Sequence, residues 1–319
     1  MTSFVNISKD SKIVIPGAAG LVGQNLIVFL KQAGYTNLIA IDKHKHNTKM
    51  LAKLHPDITV IEADLAEEGE WQNSLGNSDI IIMLQAQIGG LTIEPFIRNN
   101  ITSTKNVLES ATKYHTPYII HISSSVLESE ADDFYTQTKE DQEKLIINSG
   151  IPHCILRPTL MFGWFDRKHL GWLSRFMAKT PVFPIPSHGR FMRQPLYVGD
   201  FCNIIISAMH KQPDNEIFNI TGREKINYVD IIKAIKKTLG LRTWILHIPY
   251  WLFWFLLKIY AIFDSDPPFT TSQLKALIIP EEFELIPWWE IFEIESTPLD
   301  IALKETYLDK TYSKYVLDF

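Results

Sequence analysis

The stretch Lys12-Ile-Val-Ile-Pro-Gly17-Ala-Ala-Gly20-Leu-Val-Gly23-Gln-Asn-Leu-Ile-Val-Phe-Leu-Lys-Gln32 decides the fold. It opens with a short β run, Lys12–Pro16. A glycine loop follows, and from Leu21 to Gln32 apolar residues recur at helical spacing. A strand feeding a glycine loop that opens a helix suits a dinucleotide. Small residues let the backbone approach a pyrophosphate, and the helix N-terminus stabilises its charge. Gly17, Gly20, Leu21, Val22 and Gly23 are therefore candidate cofactor-binding residues. A plain tight turn is the alternative reading of the same glycines.

Outward from this unit, strands are predicted at Asn37–Asp42, Ile58–Glu62, Asp79–Leu84, Tyr118–Ile122 and Pro152–Leu156. Helices are predicted at Asn100–His115 and Tyr135–Asn148. Strands alternating with helices imply an α/β fold, a doubly wound, Rossmann-like parallel sheet with ligands at the carboxyl ends of its strands. Beyond Arg157 the pattern is irregular. Helices are predicted at His169–Lys179, Asp200–Lys211 and Tyr228–Leu239, with prolines 181, 184, 186 and 195 in connecting loops. The expected organisation is an NAD(P)-binding domain over residues 1–160 and a smaller, mostly helical substrate lobe over 161–319. Residues 195–222 are expected to return to the first domain.

A chain of 319 residues buries a large core. Its net charge of −5 argues against a nucleic-acid partner, which needs a basic surface. Cys154 and Cys202 lie in apolar stretches and read as small buried hydrophobes, not a disulfide framework. Met1 to Lys12 has no apolar core, so no signal peptide is expected, and the location is read as cytoplasmic. The ten histidines show no metal-ligand spacing, and His44 and His46 read as solvated.

Asp42 ends the second predicted strand, 19 positions after Gly23. A carboxylate there accepts both ribose hydroxyls of NAD and repels a 2′-phosphate. Lys43 and Lys45 stand beside it and leave NADP open. Asp64, followed by Leu65, stands after the third strand, where it meets the adenine or serves as a turn residue.

The second informative stretch joins Ser123-Ser-Ser125 to Tyr135 and Lys139. A tyrosine serves as general acid or base on an alcohol oxygen if its pKa falls toward neutrality. A nearby ammonium, or a positive nicotinamide ring, lowers it by stabilising phenolate. Lys139 lies one helical turn after Tyr135, so both project on one face. Ser124, at a strand's carboxyl end, can hydrogen-bond the reacting oxygen. A surface tyrosine and lysine with serines in a turn is the structural alternative.

With these motifs the chain resembles the extended short-chain dehydrogenase/reductase family, in particular its NAD-dependent sugar-nucleotide epimerases, dehydratases and reductases. The resemblance runs from about Lys12 to Glu224. Ile122-Ser-Ser-Ser-Val126 is similar to the active-site serine strand, and the segment from Asn100 to Ala111 to the helix with a leading asparagine. Leu156-Arg-Pro-Thr-Leu-Met-Phe-Gly163 is similar to the segment after the sixth strand. Arg193 to Asp200 has the spacing of an arginine-to-aspartate segment, and Phe218-Asn-Ile-Thr-Gly222 resembles the strand that follows. The resemblance implies catalytic Ser124, Tyr135 and Lys139, with Ser123 or Ser125 the serine if the register shifts by one. It implies that Asn100, Tyr135 and Lys139 also touch the cofactor. It further implies that Ser125, Thr159, Arg190 and Arg193 hold a nucleotide-sugar substrate, an arginine fork suiting its diphosphate. A homodimer through the Asn100–His115 and Tyr135–Asn148 helices is expected on the same ground. Three features differ from the family pattern: Tyr135 stands only 11 positions after Ser124, Leu127-Glu128 replaces a frequent Tyr-Gly, and Leu160 replaces a frequent asparagine.

The expected reaction is removal of a sugar hydroxyl proton by Tyr135 with hydride passing to NAD, followed by re-reduction or loss of water. An acid beside the active serine, which a dehydratase needs, is absent, so epimerase or reductase ranks first. Two alternatives remain: a membrane-associated NAD(P)-dependent dehydrogenase of a steroid-like or lipid alcohol, and a non-catalytic NAD(P)-binding subunit.

Pro249–Phe263 is apolar nearly all round, with Lys258 its only charge, and is shorter than the ~20 apolar residues of a membrane span. It reads as a helix buried in the substrate lobe, a dimer contact, or a helix lying in a membrane surface that places the protein peripherally. In the acidic tail, Pro267-Pro268 predicts a turn, Leu299–Leu308 a helix, and Trp288 and Trp289 core packing ahead of stacking on a base or sugar.

Overall fold

The computed structural model describes residues 5–128, 133–263, 270–279 and 283–318. The predicted Pro267-Pro268 turn lies outside them. Strands β1 (Ile13–Pro16), β2 (Leu38–Asp42), β3 (Thr59–Glu62), β4 (Ile80–Met83), β5 (Ile119–Ile122) and β6 (His153–Pro158) lie within a residue or two of their predicted positions. After β7 (Met161–Phe162), β8 (Val182–Pro186), β9 (Met192–Arg193) and β10 (Leu196–Tyr197), β11 (Glu216–Ile220) rejoins the sheet beside β6. The last strands are β12 (Ile226–Asn227) and β13 (Trp244–Ile248). The seven-stranded sheet has the order β11-β6-β5-β4-β1-β2-β3, and every pair in it is parallel.

β1 and β4 are buried throughout because helices cover both faces. Alternation divides their side chains between two cores. Ile13, Ile15, Ile80 and Ile82 face one side, and Val14, Ile81 and Met83 the other. The chain winds outward from β1 through β2 to β3, then crosses to β4 on the opposite side. That reversal opens a crevice at the carboxyl ends of β1 and β4, where such a sheet takes its ligand.

Helix α1 (Leu21–Gln32) coincides with its prediction. α2 (Lys45–Leu54) was not expected. Its residues are mostly polar and His44 supplies the N-cap, accepting from the Asn47 amide, so neither an apolar stripe nor an ordinary cap marks it. The helix predicted from Asn100 begins earlier, with the turn α3 (Glu94–Phe96), and passes through a π-helical stretch, Ile97–Thr102, into α4 (Ser103–Lys113). α5 (Phe134–Ile147) carries Tyr135 and Lys139.

Helices α6 (His169–Lys179), α7 (Val198–Lys211) and α8 (Tyr228–Thr238) follow the predicted pattern. α9 (Tyr250–Phe263), α10 (Thr271–Ile278), α11 (Trp288–Ile291) and α12 (Leu299–Leu308) complete the chain. Trp288 is fully buried and donates its indole N–H to the Thr221 carbonyl at 2.9 Å, which makes it a core residue. α9 corrects the first of its three expected roles. Trp251 is 69% and Ile262 78% exposed, so the helix is not buried in the lobe. No helix among the described residues is long and apolar enough to cross a membrane.

The end of the described chain packs back on α2 and on the segment after β7. Val316 bridges Phe165, and Asn47 exchanges two hydrogen bonds with the Asp318 backbone, at 2.7 and 2.9 Å.

Candidate active site

The crevice at the ends of β1 to β4 holds a cavity of about 210 Å³. Gly17 and Gly20 form its floor after β1, Asp42 and Lys43 its side after β2, and Asp64 and Leu65 its far end after β3. Gly17 adopts φ +81°, which glycine tolerates without strain. The loop is tied to β2: the Gly17 and Ala18 amides donate to the Ile41 carbonyl at 2.8 and 3.2 Å. One Asp42 oxygen accepts from the Ala19 amide at 3.0 Å and the other from the His44 amide at 2.9 Å. Burial pushes the Asp42 carboxyl up, against the pull of these amides. Of the remaining candidates, Leu21 and Val22 start α1 and pack against apolar clusters.

Lys43 bears on the choice of cofactor. Its ammonium bonds Asn99 at 2.5 Å and faces Asp64 at 3.7 Å, while Asp64 also pairs with Arg98 at 3.1 Å. The cation is thereby balanced within the protein, and Asp42 is left as the carboxylate on that side of the cavity. The donor set fits NAD. We expect Asp42→Ala to weaken NAD binding by about tenfold or more and to narrow the preference over NADP. Titration of both cofactors by intrinsic fluorescence checks this, and unchanged NAD affinity would remove Asp42 from the site.

The serine run leaves β5 and enters a short 3₁₀ turn, Ser125–Glu128. The Ser124 hydroxyl lies near enough to the Tyr135 phenol to favour its ionised form. Burial raises the Tyr135 pKa, and the Ser124 contact opposes that rise. Ser123 and Ser125 are both buried. Lys139 is fully buried and donates to the Ile122 carbonyl at 2.9 Å and to Gln142. Gln142 in turn donates to Thr104 at 2.8 Å, joining α5 to α4. Asn100 is wholly buried and accepts from the Gln87 amide at 2.6 Å while donating to Thr138 at 3.0 Å, so it ties the segment after β4 to α5.

Burial lowers the Lys139 pKa from 10.5 to about 7, only partly offset by Glu143. The folded chain therefore gives up this proton near pH 7, whereas the unfolded chain keeps it to the ordinary lysine value. Between the two the unfolded chain binds one proton more, so this group makes stability rise with pH. Lys139→Met removes the titration. Denaturant unfolding of both proteins should show the wild type gaining on the variant above pH 7, by up to about 1.4 kcal/mol per pH unit. A difference independent of pH would contradict the burial argument.

Arg157, not anticipated as a site residue, braces the assembly. Its guanidinium bonds both carboxylate oxygens of Glu143, at 2.8 and 2.7 Å, and also bonds Glu128. It thus clamps the serine turn and α5 onto β6. Gln85, Ala86 and Gln87, which line the cavity after β4, were also missed. The strand marks their position, but nothing in their types does.

Of the expected substrate residues, Ser125 is buried at the start of the turn after β5. Thr159 is buried, its hydroxyl on the Gln194 carbonyl at 3.2 Å. The Arg193 guanidinium donates to the Met192 and Ile279 carbonyls at 2.8 Å each and to Leu277. At the other end of that segment Asp200 accepts from the Thr297 amide and hydroxyl at 3.0 and 2.6 Å. Arg193 and Asp200 therefore pin later parts of the chain. Arg190 is exposed.

A Rossmann-like sheet with a dinucleotide crevice and a Ser/Tyr/Lys constellation defines an oxidoreductase of the short-chain dehydrogenase type. The profile of the NAD dependent epimerase/dehydratase family matches residues 13–221, and the chain belongs to that family. It is 22% identical over 259 residues to the low-salt glycan biosynthesis protein of Haloferax volcanii, covering 72% of this chain and 82% of the relative. It is 25% identical over 279 residues to the mouse sterol-4-alpha-carboxylate 3-dehydrogenase, decarboxylating, covering 79% and 75%. Among solved structures, the UDP-glucose 4-epimerase of Thermotoga maritima with UDP-glucose superposes with a TM-score of 0.71 at 20% identity, over 92% of this chain and 97% of that one. The chain is an NAD-dependent enzyme of this family.

Proposed function

We propose that the chain is an epimerase or reductase of a nucleotide sugar, with Ser124, Tyr135 and Lys139 as its catalytic residues. The observation that carries this reading is the placement of α5, which holds Tyr135 and buries Lys139 with its ammonium on the Ile122 carbonyl at 2.9 Å, next to the serine run at the carboxyl edge of the sheet. When bound, NAD supplies hydride acceptance and return. Ser124 orients the reacting oxygen. Tyr135 takes the hydroxyl proton, its phenol made harder to ionise by burial and easier by Ser124. Lys139 adds cationic charge behind the tyrosine when protonated.

Residues 1–160, with 195–222, act as the NAD domain and the remainder as the substrate lobe. Asn100, Leu65 and the glycine loop serve the cofactor, and Ser125, Thr159, Arg190 and Arg193 the substrate. For Arg193 this role requires its guanidinium to leave its carbonyl partners. The protein pairs as a homodimer through α4 and α5. It works in a reducing cytoplasm, where the free Cys154 and Cys202 stay as thiols. There it lies peripherally on a membrane through α9.

Native mass spectrometry of gently purified protein, followed by absorbance scans with a panel of nucleotide sugars, tests the reading. Co-purified NAD and a transient reduced-nicotinamide signal support it. Tightly bound NAD with no turnover of any panel member contradicts it.

A further inference from the structure

A second cavity, of about 230 Å³, lies in the C-terminal half, away from the NAD crevice. Trp172 and Phe176 of α6 form one wall, their rings stacked at 5.1 Å, and Phe183 and Pro184 of β8 another. Phe253, Leu257 and Tyr260 of α9 close it. These three are spaced four and three residues apart and so share one helix face. Among the described residues no charged side chain lines the cavity, and its polar groups are phenols and an indole. A nucleobase carries donors and acceptors on every edge and would lose their solvation here without replacement. A hydrocarbon loses nothing.

The opposite face of α9 carries Trp251, Phe255, Lys258 and Ile262, all exposed. Exposed apolar surface continues onto β13, where Trp244 is 77% and Leu246 51% exposed. Trp244 pairs in register with Val182, and Leu246 with Pro184, which lines the cavity. Apolar surface therefore runs from outside to the cavity wall. In a chain of net charge −5, the exposed cations next to this apolar surface are Arg242, two residues before Trp244, and Lys258 on α9, and α9 itself contains no carboxylate. That pattern complements an anionic surface. It opposes a second copy, because a two-fold contact across α9 would set Lys258 against Lys258 with no carboxylate of α9 between them.

We propose that this cavity binds a hydrocarbon chain delivered from an anionic lipid surface on which α9 lies, which rests on the peripheral placement above and not on the hydride chemistry.

The full chain, mixed with phosphatidylcholine vesicles with or without phosphatidylglycerol, should pellet with the anionic ones. The outward substitutions Trp251→Glu and Ile262→Glu together should lower the pelleted fraction by about tenfold. In vesicle-free solution cis-parinaric acid should gain fluorescence on the wild type and on that outward variant. Leu257→Trp, which fills the cavity, should abolish the gain. Tyr260→Arg at the half-exposed mouth should do the same if Leu257→Trp does not fold. Probe uptake unaffected by these cavity variants overturns the binding site. Probe uptake with no vesicle pelleting overturns delivery from the lipid surface, and a dimer broken by the outward variant assigns that face to a second copy. None of these readings needs NAD or a sugar, so their failure is separate from failure of the proposed reaction.

Discussion

Tyr135→Phe is expected to lower kcat by about 10²–10⁴-fold with the melting temperature and NAD affinity little changed. The substitution removes one hydroxyl and keeps the ring. Burial opposes ionisation of the phenol, and nearby Ser124 favours it. The wild-type pH profile should therefore report the phenol, and a rising limb should disappear in the variant. Steady-state kinetics on the substrate that the nucleotide-sugar panel identifies, with fluorescence titration of NAD, separates chemistry from binding. A variant with wild-type kcat would remove Tyr135 from the chemistry and favour a binding subunit. Equal losses of kcat and of stability would make the residue structural.

The second large effect concerns the glycine loop and separates fold from binding at neighbouring positions. A Cβ at Gly23 would stand 2.3 Å from the Ala18 carbonyl oxygen, a backbone atom that cannot swing aside. Gly23→Val must push α1 away from the loop, at a cost of about 3 kcal/mol, and should abolish NAD binding as well. At Gly20 a Cβ meets only the Gly17 carbonyl oxygen, at an ordinary 3.5 Å. Gly20→Ala should leave denaturant stability near that of the wild type and weaken NAD binding by narrowing the approach of the pyrophosphate. Equal stability of the two variants would contradict the packing argument. Undiminished NAD binding by Gly20→Ala would place the pyrophosphate elsewhere.

The sheet was legible because its strands are short apolar runs, buried on both faces, separated by helices of clear period. α1 coincides with its expected limits, since both the loop before it and Ala33-Gly34 after it punctuate the chain. α2 escaped notice because its stability comes from packing a few residues such as Leu51 and from a histidine cap. The paired segments β8 and β13 were not expected, the first read as a proline-rich connection and the second left unassigned, because each is a strand only through the other.

The sequence by itself determined the first six strands and the main helices among them, the glycine loop, Asp42 at the end of β2, and the Ser, Tyr and Lys that follow β5. These depend on local periodicity, on backbone permissiveness and on spacing within single elements, all of which are written along the chain. Only the tertiary structure decided where the long-range partners fall. It paired Lys43 with Asp64, clamped Arg157 between Glu128 and Glu143, and turned Arg193 onto the carbonyls of Leu277 and Ile279. It also placed α9 with one face on an apolar cavity and the other in the open. A charge or an apolar side chain has no partner until the chain folds, so its role is set by what packing brings within reach.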